Sequence, residues 1–199
     1  MYKSPKQLRA QETERAFLSV FRQLLAERGF ARTSLEDIAT RSEQTRSAFL
    51  SRFGSKKAAL FLLFDEYCAA GSDLMRQSSR QVQDLPDAKT CVHLMSASFE
   101  RRLIDHFASN RAMHELYLED LQVNERTQRI FMELVELMRL VQRHHLRSEP
   151  CTDAGAFSAA QVLVTTNYNY VLKAMPGLAR DPSIRHEMIA RMVVEALKF

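Results

Sequence analysis

Residues 33–57 read TSLEDIATRSEQTRSAFLSRFGSKK, and two short amphipathic helices fit into them with only a tight turn between. Leu35, Ile38 and Ala39 make a small apolar face in the first, and Ala48, Phe49 and Phe53 make one in the second. Thr33 and Glu36 have capping-box spacing: the Thr33 hydroxyl is expected to accept from the Glu36 N–H while the Glu36 carboxylate reaches back to the Thr33 N–H. That predicts a helix over residues 34–42. Thr45 caps the second helix, over residues 46–53, and Gly54 ends it. Ser55 then caps a longer helix that begins Lys56-Lys57-Ala58 and continues through Phe61, Phe64, Tyr67 and Leu74. Upstream, Ala16, Phe17, Val20, Phe21, Leu24 and Leu25 recur at helical steps, and Gly29 supplies a left-handed stop against which Phe30 can fold back. Three helices, the last two joined by a short turn, make a helix-turn-helix arrangement.

The remaining segments are longer. Helices are expected at residues 87–109, 111–122, 125–147, 153–175 and 183–198, separated by Pro86, Asn110, Asn124, Pro150, the pair Pro176-Gly177 and the pair Asp181-Pro182. Residues 78–86, SSRQVQDLP, read as a flexible link. The fold class is therefore all-α, with a helix-turn-helix domain over residues 1–55, a connecting helix and link over 56–86, and a larger helical domain over 87–199. Five glycines and five prolines in 199 residues leave little material for the turns of a β-rich or doubly wound fold, which agrees with this reading.

Charge is unevenly distributed. The first 60 residues hold 12 basic and 6 acidic side chains, whereas the remainder holds 16 basic and 18 acidic. A basic head on a slightly acidic body suits contact with a polyanion, although a solvated charged face has the same signature. The N-terminus has no apolar core of signal-peptide length, and no stretch approaches the length of a membrane span, so a cytoplasmic protein is expected. Cys68, Cys91 and Cys151 are odd in number and widely spaced, which fits a reducing compartment.

The stretch from Thr13 to Tyr67 resembles the N-terminal DNA-binding domain of the TetR family of one-component transcriptional regulators. The elements that carry the resemblance are Gly29-Phe30, Thr33-Ser34 before Leu35, Asp37-Ile38-Ala39, and Phe53-Gly54-Ser55-Lys56. Two features depart from the family pattern. Glu43 and Gln44 occupy a turn that usually holds a small residue and an apolar one, and Leu50 and Arg52 stand where an aromatic pair is usual.

A recognition helix in the major groove reads bases from its N-terminal and exposed positions, here Thr45, Arg46, Ser47, Leu50 and Ser51. The planar fork of Arg46 suits either a guanine edge or a phosphate. Thr33 is expected to hold a phosphate as well as to cap its helix. By resemblance, Lys56 anchors a phosphate, and the phosphate contact that a tyrosine hydroxyl often makes in relatives is either taken over by Arg52 or absent. Lys3, Lys6 and Arg9 form either a groove-binding arm or a solvated tail.

The resemblance also implies an effector pocket and a dimer in the larger domain. Met95, Phe99, Met113, Tyr117, Phe131 and Leu134 suit an adaptable apolar pocket or a plain core, and Asn167 and Tyr168 suit ligand orientation or interhelical bonding. Phe157, Val164, Val171, Ile189, Met192, Val193 and Ala196, on the last two helices, resemble the family's dimerisation pair. A homodimer would bind half-sites about 34 Å apart in a palindromic operator, and a small-molecule effector would release it. An adaptor with a basic head and a nonspecific DNA-binding protein are the rival readings. The sequence contains no catalytic motif, and no cofactor or metal is expected: His93, His106, His114, His144, His145 and His186 lack ligand spacing.

Overall fold

The computed structural model describes residues 5–147, 152–171 and 179–199, and of residues 5–8 the backbone alone. Lys3, Pro150, Cys151, Pro176, Gly177 and the Lys6 side chain, on which expectations were placed above, lie outside these limits. Among the described residues the regular structure is entirely helical: α1 (Pro5–Arg28), α2 (Leu35–Arg41), α3 (Arg46–Phe53), α4 (Lys56–Gln81), a single 3-10 turn (Val82–Asp84), α5 (Ala88–Asp105), α6 (Phe107–Leu116), α7 (Leu121–His145), α8 (Asp153–Val171) and α9 (Pro182–Ala196). No helix among them is long and apolar enough to cross a membrane.

The chain divides into two compact units, one of Met1–Tyr67 with His106–Val123 and the other of Cys68–Asp105 with Asn124–Phe199. Residues 106–123 thus pack with the head, although the sequence reading grouped them with residues 87–199. In the first unit α1 packs on α2 and on α6, and α2 packs on α3. Its core is aromatic: Phe17 meets Phe49 edge-on at 5.2 Å, and Phe49 lies 4.7 Å from Phe53. Phe17 and Phe49 are fully buried, and each such ring contributes about 1.5–3 kcal/mol relative to exposure. In the second unit α5, α8 and α9 pack on one another around Val92, Met95, Leu163, Ile189 and Val193.

Three sequence expectations change. The capping box is shifted by one residue: Ser34 is the N-cap of α2, its hydroxyl accepting from the Asp37 N–H at 3.0 Å while Asp37 accepts from the Ser34 N–H at 2.9 Å. Thr33 does not cap, because it is 1% exposed and its hydroxyl donates to the Gly29 carbonyl at 2.7 Å. Residues 78–86 are no loose link, since α4 runs to Gln81 and Val82 is fully buried. Asn110 and Asn124 lie inside α6 and α7; the breaks fall at His106 and at Tyr117–Asp120, where the Asp120 carboxylate accepts from the N–H groups of Gln122 and Val123.

Candidate nucleic-acid interface

Local chemistry builds α3. The Thr45 hydroxyl accepts from the Ala48 N–H at 3.1 Å, which satisfies one of the free donors of the first turn. At the other end Gly54, at φ 75°, closes the helix by donating its N–H to the Leu50 carbonyl at 2.8 Å. Phe49 anchors the inner face. On the outer side Thr45, Arg46, Ser47 and Ser51 are all exposed, with Ser47 and Ser51 one turn apart on the same face. Arg46 enters no ion pair among the described residues, so its guanidinium projects free from the first turn.

The turn before α3 carries an unusual backbone. Glu43 sits at φ 54°, the left-handed region in which a residue with a Cβ is strained. Its N–H donates to the Thr40 carbonyl at 3.2 Å, and the following N–H, of Gln44, donates to the Ala39 carbonyl at 3.0 Å. These bonds hold the bend that sets α3 against α2.

Two basic residues expected at phosphates are engaged within the chain. Arg52 pairs with Glu14 at 2.8 Å and donates to the Ala10 carbonyl at 2.9 Å, tying α3 to α1. Lys56 donates to the carbonyls of Phe30 at 2.9 Å and Thr33 at 2.7 Å, with its ammonium 4.1 Å from the centre of the Phe30 ring. Burial pushes the Lys56 ammonium below its ordinary range, opposed by the nearby Glu115 carboxylate. Its neighbour Lys57 pairs with Asp120 at 2.5 Å.

The sequence reading missed Ser34 and the α6 pair Arg111 and Glu115. Glu115 Oε2 accepts from the N–H groups of Phe30 at 2.8 Å and Ala31 at 3.1 Å, and Arg111 donates to the Ala26 carbonyl at 2.7 Å. Their i, i+4 spacing was a visible signal of a shared helix face, but not of the distant turn that the face meets.

Residues 17–62 match the family model for bacterial regulatory proteins of the tetR family. Over these residues the head is similar to that family. Solved structures extend the likeness of fold to the whole chain. The fatty acid degradation regulator FadR from Bacillus halodurans is 16% identical, with all of this chain and 99% of that one covered at a TM-score of 0.68. NalD of Pseudomonas aeruginosa, the secondary repressor of a multidrug efflux pump, is 16% identical over 94% of this chain and 96% of that one, with a TM-score of 0.65. GusR of Salmonella enterica is 17% identical over the same shares, with a TM-score of 0.64. The sequence matches no curated protein significantly. The comparisons thus show a tetR-family match over residues 17–62 and, over the whole chain, a fold similar to that of these regulators.

Of the tetR-type effector-pocket residues expected above, Met95, Phe99 and Leu134 are buried in the core of the second unit, with Phe131 and Tyr168 packed against it. Asn167 is fully buried and exchanges hydrogen bonds with Ser96. Met113 and Tyr117 belong to the first unit. Among the dimer residues, Phe157 and Met192 are exposed, and Val164, Val171 and Ala196 are half-buried. Ile189 and Val193 are fully buried in the chain's own core, so they are not available to a partner.

The α8–α9 surface does carry an apolar groove, lined by Ser158, Arg191, Met192, Glu195, Ala196 and Phe199. Among the described residues no three His, Cys, Asp or Glu side chains are placed to hold a metal. Burial pushes the Cys91 thiol up to about 11, which keeps it protonated and unreactive.

Proposed function

We propose that this chain is a homodimeric, sequence-specific repressor of the tetR family that binds a palindromic operator in the cytoplasm and is released by a small-molecule effector. The observation that carries the reading is the division of α3 into a face locked by Phe49 and an outer face of Thr45, Arg46, Ser47 and Ser51 open to a major groove. Positively charged residues concentrated in the first 60 positions support approach to the phosphate backbone. Residues 1–55 read the operator, the helix that follows connects, and residues 87–199, less the stretch 106–123 that packs with the head, supply the effector and dimer surfaces.

Within this reading Arg46 is the principal base reader. Thr33, Arg52 and Lys56 act on the phosphates indirectly, by fixing the helices whose N-termini and side chains meet them. Exposed Phe157 and Met192, together with the groove on α8 and α9, support pairing with a second copy. Selection of bound duplexes from a random pool tests the proposal. Enrichment of a palindrome with half-sites about one helical turn apart is expected; enrichment of no sequence overturns it in favour of a nonspecific binder or an adaptor.

A further inference from the structure

We infer that Glu115 on α6, assisted by Arg111, is a positioning residue for DNA binding, acting through the Gly29–Thr33 turn without touching DNA. The inference rests on the DNA-binding reading above. The turn joins α1 to α2, and the residue that follows it, Ser34, is the cap that starts α2. Its peptide groups are held from two sides. The Phe30 N–H donates to Glu115, and the Phe30 carbonyl accepts from Lys56 at the head of α4. The Ala31 N–H also donates to Glu115, and the Thr33 carbonyl also accepts from Lys56. Arg111 occupies the Ala26 carbonyl, one of the acceptors left open at the end of α1.

Gly29 shows how closely the parts fit. It sits at φ 81°, and a Cβ built there would overlap the Glu115 carboxylate, so the turn leaves room for this one acid and for no side chain of its own. Bonds from backbone N–H groups to a carboxylate are the stronger, charge-assisted kind. Losing them frees the start of α2, and α2 is the helix on which α3 packs. A freed turn spends part of its time in arrangements that misplace α3, and apparent affinity falls in proportion to the population that remains competent. Contacts within the competent form are unchanged.

The test uses the full-length protein and a labelled duplex carrying the palindrome recovered by selection, with anisotropy measured over a range of salt concentrations. Glu115→Ala is expected to weaken binding about tenfold, with the salt slope unchanged and the thermal transition still cooperative. Glu115→Gln keeps an acceptor oxygen and is expected to recover most of the loss. Faster amide exchange at Phe30 and Ala31 in Glu115→Ala is expected alongside.

Unaltered affinity in Glu115→Ala, or a reduced salt slope, overturns the positioning role. Should Glu115→Ala fail to fold, Arg111→Met is the second variant: a loss of about threefold at constant slope supports the role, and unchanged affinity overturns it. Failure of the unmodified protein to bind any selected duplex overturns the DNA-binding reading itself, which separates the two.

Discussion

Arg185 and Glu100 form a buried two-pronged pair, with Nη2 2.6 Å from Oε1 and Nε 2.9 Å from Oε2, and Arg185 is only 1% exposed. The third nitrogen of the guanidinium donates to the carbonyls of Ala179 and Arg180, and the Tyr170 ring stacks 3.7 Å from its centre. The arginine thereby ties the chain entering α9 to the middle of α5. Removing one partner strands the other in a low-dielectric interior. Glu100→Ala is therefore expected to cost about 3–5 kcal/mol of stability, read as a lower denaturant midpoint, and a loss below about 1 kcal/mol would refute the pairing as drawn.

The same cluster makes stability depend on pH. His186 Nδ1 lies 2.9 Å from the Ser96 hydroxyl, and burial holds the imidazole below its ordinary value of 6.5 against the opposite pull of Glu100, with Arg185 and His93 reinforcing the effect of burial. Below about pH 6.5 the unfolded chain takes up a proton that the folded chain resists, so stability falls on acidification and levels off above that value. A thermal transition that drops between about pH 7 and about pH 5.5 is expected, with a flatter profile in His186→Gln. An identical profile in the variant would assign the pH dependence to other groups.

Glu43 is strained at φ 54°, and its side chain is exposed. Glu43→Gly removes the left-handed penalty at the cost of a more flexible unfolded chain, and the balance is a gain of up to about 1 kcal/mol. Calorimetry should show a higher melting temperature with the helix content unchanged. A lower one would mean that Glu43 contributes a contact stronger than its backbone penalty.

Arg46→Ala should leave folding intact, because the side chain is exposed and lies outside the core. If it reads a base, discrimination at one position of each half-site falls by about 1–3 kcal/mol. If it holds a phosphate, affinity falls for every sequence and the salt slope drops by about one. Binding that is unchanged in both respects would place α3 in a different register on DNA.

Where neighbouring residues decide structure, the sequence was readable. Thr45, Gly54 and Ser55 set the limits of α3 and the start of α4 through bonds spanning three or four residues, and the expected boundaries match. The cap of α2 was misplaced because Thr33 with Glu36 and Ser34 with Asp37 have the same spacing; burial of Thr33 settled the choice, and burial is a tertiary property. Partners distant in sequence were invisible. Arg52 and Lys56 look like phosphate ligands until Glu14 and the Phe30 carbonyl, 38 and 26 residues away, are seen beside them. Asn110 and the segment 78–86 misled for a related reason: polar residues were read as helix stops or loop, yet both lie in packed structure.

The bonds from Arg111 and Glu115 to the end of α1 also impose an order of events during synthesis. Phe30 leaves the ribosome 85 residues ahead of the carboxylate that accepts its N–H. At roughly 5–20 residues per second the gap is about 4–17 seconds. Through that interval α1 to α3 can collapse around Phe17 and Phe49, but the turn that starts α2 lacks its α6 partner. The nascent head therefore waits on a helix encoded well downstream, and a fragment ending at residue 67 would represent that waiting form rather than the finished one.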